Sequence, residues 1–196
     1  MTAGLVLASG SPRRADLLTA AGIAFQQIIP GVAETADPHL TAREATAWNA
    51  LKKGLSVARK YPTRVVVAAD TVVVLDGVMI GKPRNFAHAT RILRQLNGRT
   101  HEVFSSVFVG QFSAAKFVSF CEVSHVRFRK LTELQIREYL GKINPLDKAG
   151  GYAAQGDGKD VISEIDGSFS NVVGLPMERT VPVLKGFGIQ ANRTVS

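Results

Sequence analysis

Hydrophobic positions along this chain follow two rhythms, short β-branched runs and longer stretches with helical spacing. Residues 5–8 read as a short buried strand. The turn Ser9-Gly10-Ser11-Pro12 leads into a helix over 13–21 that ends at Gly22, a usual residue past a helix C-terminus. Residues 25–29 read as a second strand. Thr41 with Glu44 forms a capping box that opens a long helix to Lys60, and Pro62 closes it. Residues 65–69 are β-branched and apolar, hence a central strand, with Asp70 at its carboxyl end. Residues 71–75 and 78–80 flank Asp76-Gly77, the pairing of a type I′ hairpin turn.

Asn85 caps a helix running to Asn97, with Gly98 ending it. Two strand-like stretches follow, 101–112 and 117–128, joined by a short polar turn. Thr132 with Gln135 opens a helix to Lys142, and 145–158 form a glycine-rich loop. Residues 161–165 read as the last strand, and a C-terminal helix runs from Leu175 with Pro176 in its first turn. Pro182 predicts a kink or an early break in that helix. Units of βαβ type alternate with hairpins. The fold class expected is therefore α/β, a mixed twisted sheet with flanking helices.

With 196 residues, 45% of them hydrophobic and 20% charged, the chain suits one domain over 1–196. No apolar run approaches the ~20 residues of a membrane span. The apolar stretch 4–8 is too short for a signal core and has no basic segment before it. One cysteine, Cys121, excludes an internal disulfide and metal-binding cysteine pairs. A soluble cytoplasmic protein away from membranes is the expectation. The net charge of +8 favours anionic partners. Long Lys/Arg runs and basic stripes interleaved with aromatics are absent, so nucleic acid is not expected. The basic residues stand instead beside Gly, Ser and Pro at loop-like points, a pattern that tilts towards a phosphate pocket. His39, His88, His101 and His125 are scattered and lack zinc spacing.

Four segments carry candidate chemistry. Ser9-Gly10-Ser11-Pro12-Arg13-Arg14 lies between a strand and a helix, where free amides and the helix dipole favour anions. Two hydroxyls and two guanidinium groups add phosphate donors there. A capped helix with solvated arginines is the plain alternative. Asp70-Thr71 offers a carboxylate for a general base or a hard cation, against the alternative of a turn-forming Asp. In Gly81-Lys82-Pro83-Arg84 the proline stiffens the loop behind Lys82, although a basic pair in a loop is usually just solvated. In the segment from Leu146 to Gly156, glycines permit close backbone approach and Gln155 can read a base edge. A flexible connection has the same composition.

Taken in order, these segments resemble the Maf family of nucleotide pyrophosphatases. The resemblance rests on Leu7-Ala8-Ser9-Gly10-Ser11-Pro12-Arg13-Arg14 and on Ala69-Asp70-Thr71-Val72-Val73 with Gly81-Lys82-Pro83 downstream. It continues in Pro145-Leu146-Asp147-Lys148-Ala149-Gly150 with Tyr152 and Gln155-Gly156, and in the stretch from Gly167 to Pro176. It implies two lobes around a central cleft, similar to the inosine-triphosphate pyrophosphatases. It implies attack on the α-phosphorus of a nucleoside triphosphate, with pyrophosphate leaving and a divalent cation, Mg²⁺ or Mn²⁺, assisting. Asp70 falls on the position of the catalytic base. Ser9, Arg13, Arg14, Glu34, Lys53 and Lys82 fall on positions that hold triphosphate and metal, with Glu34 and Asp70 the expected metal ligands.

Arg13, Thr71 and Gln155 match the subgroup that resembles dTTP/UTP pyrophosphatases. A 7-methyl-GTP pyrophosphatase and a nucleotide-binding regulator of septum formation are the alternatives, and a homodimer is compatible with each. Three departures from the pattern stand out, the first of them Pro182, which is unexpected in the last helix. Ala33 stands where an acidic residue is common, and Ala153 and Ala154 replace the commoner Gly and Ile.

Overall fold

The computed structural model describes residues 4–35 and 37–191; the expected domain span of 1–196 extends beyond them. Seven strands form one mixed sheet: β1 (Leu5–Ala8), β2 (Phe25–Ile28), β3 (Val65–Leu75), β4 (Val78–Ile80), β5 (Thr100–Gln111), β6 (Lys116–Phe128) and β7 (Ile162–Asp166). Their order is β2-β1-β3-β5-β6-β7, with β4 paired to β3. The pairs β1–β2 and β1–β3 are parallel and the others antiparallel. The helices are α1 (Pro12–Ala20), α2 (Ala42–Ala58), α3 (Phe86–Leu96), α4 (Glu133–Lys142), α5 (Gly158–Val161), α6 (Phe169–Val173) and α7 (Met177–Gly186). Both capping boxes form, at Thr41–Glu44 and Thr132–Gln135, and Asn85 accepts the amide of His88. Asp76 and Gly77 both have positive φ, as the β3–β4 hairpin turn requires.

Strand β3 organises the molecule. Successive side chains on a strand point to opposite faces. Accordingly Val66 and Ala68 pack on α2, together with Ala50, Val57 and Ala58. On the other face Val65, Val67 and Ala69 join Leu18 of α1 and Leu184 of α7. Further along that face, Val73 and Leu75 join Ile92 and Leu93 of α3 and Ile136 and Leu140 of α4. The core of this face is thus two clusters, and Thr71 falls between them. Helix α2 reaches the sheet closely because residue 54 is glycine; a Cβ there would overlap the Phe108 ring.

Two expectations are corrected here, and one stretch without an expected element is helical. Asp70 is not at the end of a strand, because 65–69 and 71–75 are one continuous strand, paired along its length with β5. The early break expected at Pro182 does not occur, since α7 runs on through it to Gly186. A proline costs a helix its own amide and one carbonyl's partner, while α7 is anchored by buried Thr180 and Leu184 on either side. Part of 167–176 is helical, as α6, capped by the Ser168 hydroxyl through the Asn171 amide.

Candidate active site

The position of the site follows from how β3 changes neighbours. On one side it pairs with β1 only from Val65 to Val67 and with β4 only from Val73 to Leu75. Between those stretches, Ala68 to Val72 have no strand on that side among the described residues, and a cavity of about 730 Å³ opens there. That volume lies within the range of small-molecule sites. On the other side the β3–β5 register sets Asp70 opposite Ser106 and Thr71 opposite Ser105, a polar waist across an otherwise apolar sheet. The cavity is lined from Ser9 through Arg14, by Glu34, Asn49, Lys53, Asp70, Thr71 and Lys82, and by residues from Asp147 to Gln155. Every candidate site residue read from the sequence therefore lies on one wall or another of a single space.

Asp70 faces α2. Its Oδ1 accepts the Lys53 ammonium at 2.6 Å and its Oδ2 accepts Nδ2 of Asn49 at 3.2 Å. The same ammonium donates to Glu34 Oε1 at 2.7 Å, so one cation gathers two carboxylates. Burial alone would raise the Glu34 carboxyl. The hydrogen bond and charge of Lys53, with Lys82 and Arg14 further off, outweigh it and hold the group below the ordinary range. These contacts arise from one helical stripe. Thr46, Asn49 and Lys53 recur at three- and four-residue spacing on the buried side of α2, above the polar waist.

Thr71 faces the other way, towards α1 and α6. Arg14 is buried, and each of its three guanidinium nitrogens donates once to the protein, which leaves N–H donors on Nη1 and Nη2 to spare. It donates from Nε to the Gly174 carbonyl at 2.8 Å, from Nη1 to the Ser9 hydroxyl at 3.2 Å and from Nη2 to the Thr71 hydroxyl at 3.0 Å. Thr71 in turn meets the Ser105 hydroxyl at 2.8 Å, and Ser105 donates to the Asn171 carbonyl at 3.0 Å. Gly174, at φ 121°, lets that carbonyl come close; a Cβ there would crowd the Thr71 hydroxyl. The alternative of a solvated first-turn arginine fails for Arg14. Arg13 differs, giving two bonds to Asp147, one to Oδ2 at 2.8 Å and one to its carbonyl at 2.9 Å. It thereby ties the first signature segment to the third.

Ser9 accepts from the Ser11 amide at 3.1 Å, while the N-cap Ser11 places no side-chain bond on the first turn of α1. Those amides stay available to an anion. Lys82 is exposed at the rim, and its loop is stitched to the third segment by the Gly150 amide on the Gly81 carbonyl at 3.1 Å. Gln155 is half-buried on the cavity wall, and its amide makes no side-chain hydrogen bond among the described residues. The backbone just before it is held by a single hydroxyl, since Tyr139 accepts the Ala153 amide at 2.9 Å and donates to the Ala153 carbonyl at 3.4 Å.

The decisive feature is a charge imbalance. Among the described residues Glu34, Asp70 and Asp147 are paired with Arg13, Lys53 and Lys148, whereas Asp37 at the cavity wall, Arg14 and Lys82 enter no ion pair. Burial drives the Arg14 guanidinium below its ordinary value against the pull of Asp70. A buried cation short of counter-charge is a site for an anion. A family model described as Maf-like protein matches residues 4–187. The chain belongs to the Maf family.

Among the relatives of this Maf protein, one from Bacillus mycoides (strain KBAB4), named dTTP/UTP pyrophosphatase, is 42% identical over 183 residues, covering 93% of this chain and 95% of its own. Another of the same name, from Bacillus anthracis, is 40% identical over 185 residues, covering 94% and 96%. A solved structure described as the Staphylococcus aureus Ham1 protein aligns with TM-score 0.45 and 15% identity, over 64% of this chain and 71% of that one.

Sequence reading missed Asn49, Ser105, Asp147 and the Gly174 carbonyl as parts of this Maf site. Asn49 left a signal, since it precedes Lys53 by four residues and shares its helical face. Asp147 lies in the third signature segment but pairs with Arg13 only through the fold, while Ser105 and the Gly174 carbonyl act through strand register and backbone and leave no signal.

Proposed function

We propose that this Maf protein is a nucleoside triphosphate pyrophosphatase that converts dTTP and UTP to the monophosphate and pyrophosphate. The observation that carries the reading is the pair of cations without carboxylate partners, Arg14 and Lys82, on the same cavity as Asp70. The names of relatives about 40% identical over nearly their whole length support it. Each Asp70 oxygen accepts one protein donor and keeps lone-pair capacity for water. A water there attacks the α-phosphorus and gives its proton to Asp70. The bond from that phosphorus to the bridging oxygen breaks, and pyrophosphate leaves with the electron pair. Arg14, the free amides of α1 and Lys82 neutralise charge on the transferring and leaving oxygens.

The residues fit a divalent cation. Glu34 and Asp70 already converge on one positive charge, the Lys53 ammonium. Among the described residues no third His, Cys, Asp or Glu completes a metal cluster. Two carboxylates with triphosphate oxygens suit Mg²⁺ or Mn²⁺, which takes substrate phosphates as ligands. When bound, the ion supplies Lewis-acid stabilisation of the phosphoryl oxygens.

For the base, the unpaired amide of Gln155 matches the O4 and N3–H edge of uracil or thymine. Arg13, through Asp147, braces the segment that carries it. A site built to hydrogen-bond one base leaves buried groups unpaired with another. The cytoplasm, which holds the nucleotide pool, is the setting of this reading. The experiment is a panel of triphosphates with Mg²⁺ or Mn²⁺, scored for pyrophosphate and orthophosphate separately, with UTP and 7-methyl-GTP also in competition. Pyrophosphate from dTTP and UTP is expected first. Direct orthophosphate release overturns the reaction, and preference for the methylated purine overturns the base assignment.

A further inference from the structure

The buried face of α2 is mostly apolar or small, with Ala45, Ala50, Gly54, Val57 and Ala58, yet it carries an asparagine only 5% exposed. A buried amide is costly unless its polar atoms are bonded, and packing alone is met by an aliphatic residue at that position. Asn49 makes three hydrogen bonds, all to the candidate active site or the segment entering it. Its Oδ1 accepts the Thr35 amide at 2.7 Å, and its Nδ2 donates to the Thr35 carbonyl at 3.2 Å and to Asp70 Oδ2 at 3.2 Å. The opposite amide orientation would set oxygen against the Thr35 carbonyl and Asp70, and the amino group against the Thr35 N–H. All three contacts would become repulsive, so one orientation is specified.

These bonds join two parts of the chain that approach the site separately. Thr35 adjoins Glu34 on a segment without helix or strand, and Asp70 lies on β3. One turn after Asn49 on the same helix, Lys53 bridges the two carboxylates themselves. Lys52 adds bonds to the Ala33 carbonyl at 2.8 Å and the Thr35 hydroxyl at 3.2 Å. Lys53 can leave the carboxylates for a phosphate or give way to a cation. Asn49 is uncharged and bound to backbone, so it keeps Glu34 in reach of Asp70 when that happens.

We propose that Asn49 is a positioning residue that clasps the Glu34 segment onto Asp70, fixing the spacing at which the two carboxylates share a divalent cation. The proposal rests on the reading of Asp70 and Glu34 given above. Partners that orient ligating groups typically carry about 10- to 100-fold in metal affinity or activity. The test replaces Asn49 by Leu, of similar size, and by Ala, which removes the same bonds without crowding. Mn²⁺ binding without nucleotide is read by electron paramagnetic resonance, Thr35 amide exchange by NMR, and kcat and KM for UTP by steady-state assay.

Both variants are expected to fold, to expose the Thr35 amide, and to lose roughly tenfold or more in Mn²⁺ affinity and kcat, with a smaller change in KM. Mn²⁺ affinity and kcat within about twofold of the parent, with Thr35 exchange accelerated, would reduce Asn49 to a clasp of the fold and overturn the proposal. Asp70→Asn, run alongside, separates the two layers. If it too keeps Mn²⁺ affinity and turnover, the reading of Asp70 has failed rather than that of Asn49.

Discussion

Arg14 Nε donates to the carbonyl of Gly174 at 2.8 Å, joining two signature segments 160 residues apart. The guanidinium is thereby aimed before any nucleotide arrives, held on its other nitrogens by Ser9 and Thr71. Preorganised donors of this kind are worth most where water is excluded. Arg14→Lys keeps a charge but cannot reproduce the fork or the Nε bond. Turnover should fall by about 10²-fold or more, by analogy with loss of a single oxyanion donor. Stability should fall as well, by about 1–3 kcal/mol, because buried acceptors are left unpaired. Steady-state kinetics and urea melts on one preparation check both. Unchanged stability would mean that the three bonds do not persist in solution.

Lys82 is the contrasting cation. It is exposed, and its ammonium has no ion-pair partner among the described residues. Solvated surface substitutions usually change stability by no more than about 0.5 kcal/mol. Lys82→Ala should therefore melt like the parent while losing at least about tenfold in kcat/KM, close to the ~1.4 kcal/mol of a single charge-assisted contact. Parallel losses of melting temperature and activity would assign Lys82 to the fold instead.

Asp70→Asn preserves shape, and its amide oxygen can still face Lys53. What it removes is the proton acceptor and the negative charge. General-base terms are worth about 10²–10⁴, so single-turnover rates with UTP should fall in that range while circular dichroism stays native. Near-parent rates in a folded Asp70→Asn protein would remove Asp70 from the chemistry.

The strands and helices of this Maf protein could be read along the chain because each rests on local chemistry. The boxes at Thr41–Glu44 and Thr132–Gln135 and the Asp76-Gly77 turn are decided within four residues. The run 65–75 was misread because Asp70 looks like a strand terminator, whereas here β5 pairs across it and Lys53 and Asn49 satisfy its carboxylate. Pro182 misled for a similar reason, since the rule against proline is local and the anchoring of α7 is tertiary. Within the site the charged residues stood out by type and motif. That Asp70 and Thr71 face opposite sides of β3 follows from alternation once 65–75 is one strand, but which groups they meet there, Lys53 and Asn49 or Arg14, depends on tertiary packing and on where β1 stops. No local pattern encodes that.

His101 supplies a pH test of the segment that leads to Gln155. Its ring is buried edge-on against Phe128 and Tyr152, at centroid distances of 5.0 and 5.3 Å. Nε2 lies 2.8 Å from the Tyr152 hydroxyl, and Nδ1 has no hydrogen-bond partner among the described residues. Burial without a counter-charge pushes the imidazole down to about 4, from an ordinary value of 6.5. Above pH 6.5 both folded and unfolded chains carry it neutral, and it contributes no pH dependence. As pH falls from 6.5 towards 4 the unfolded chain takes up the proton first, so stability is lost progressively through that window and levels off below it. The full loss is about 3 kcal/mol, from roughly 1.4 kcal/mol for each pH unit. His101→Gln retains a partner for the Tyr152 hydroxyl but does not titrate. The stability of the variant minus that of the parent, from urea melts between pH 4 and 7, cancels the carboxylates common to both. That difference should rise by about 3 kcal/mol as pH falls from 6.5 to 4. A flat difference would show that His101 is reached by water or by a charge that the folded structure does not place beside it.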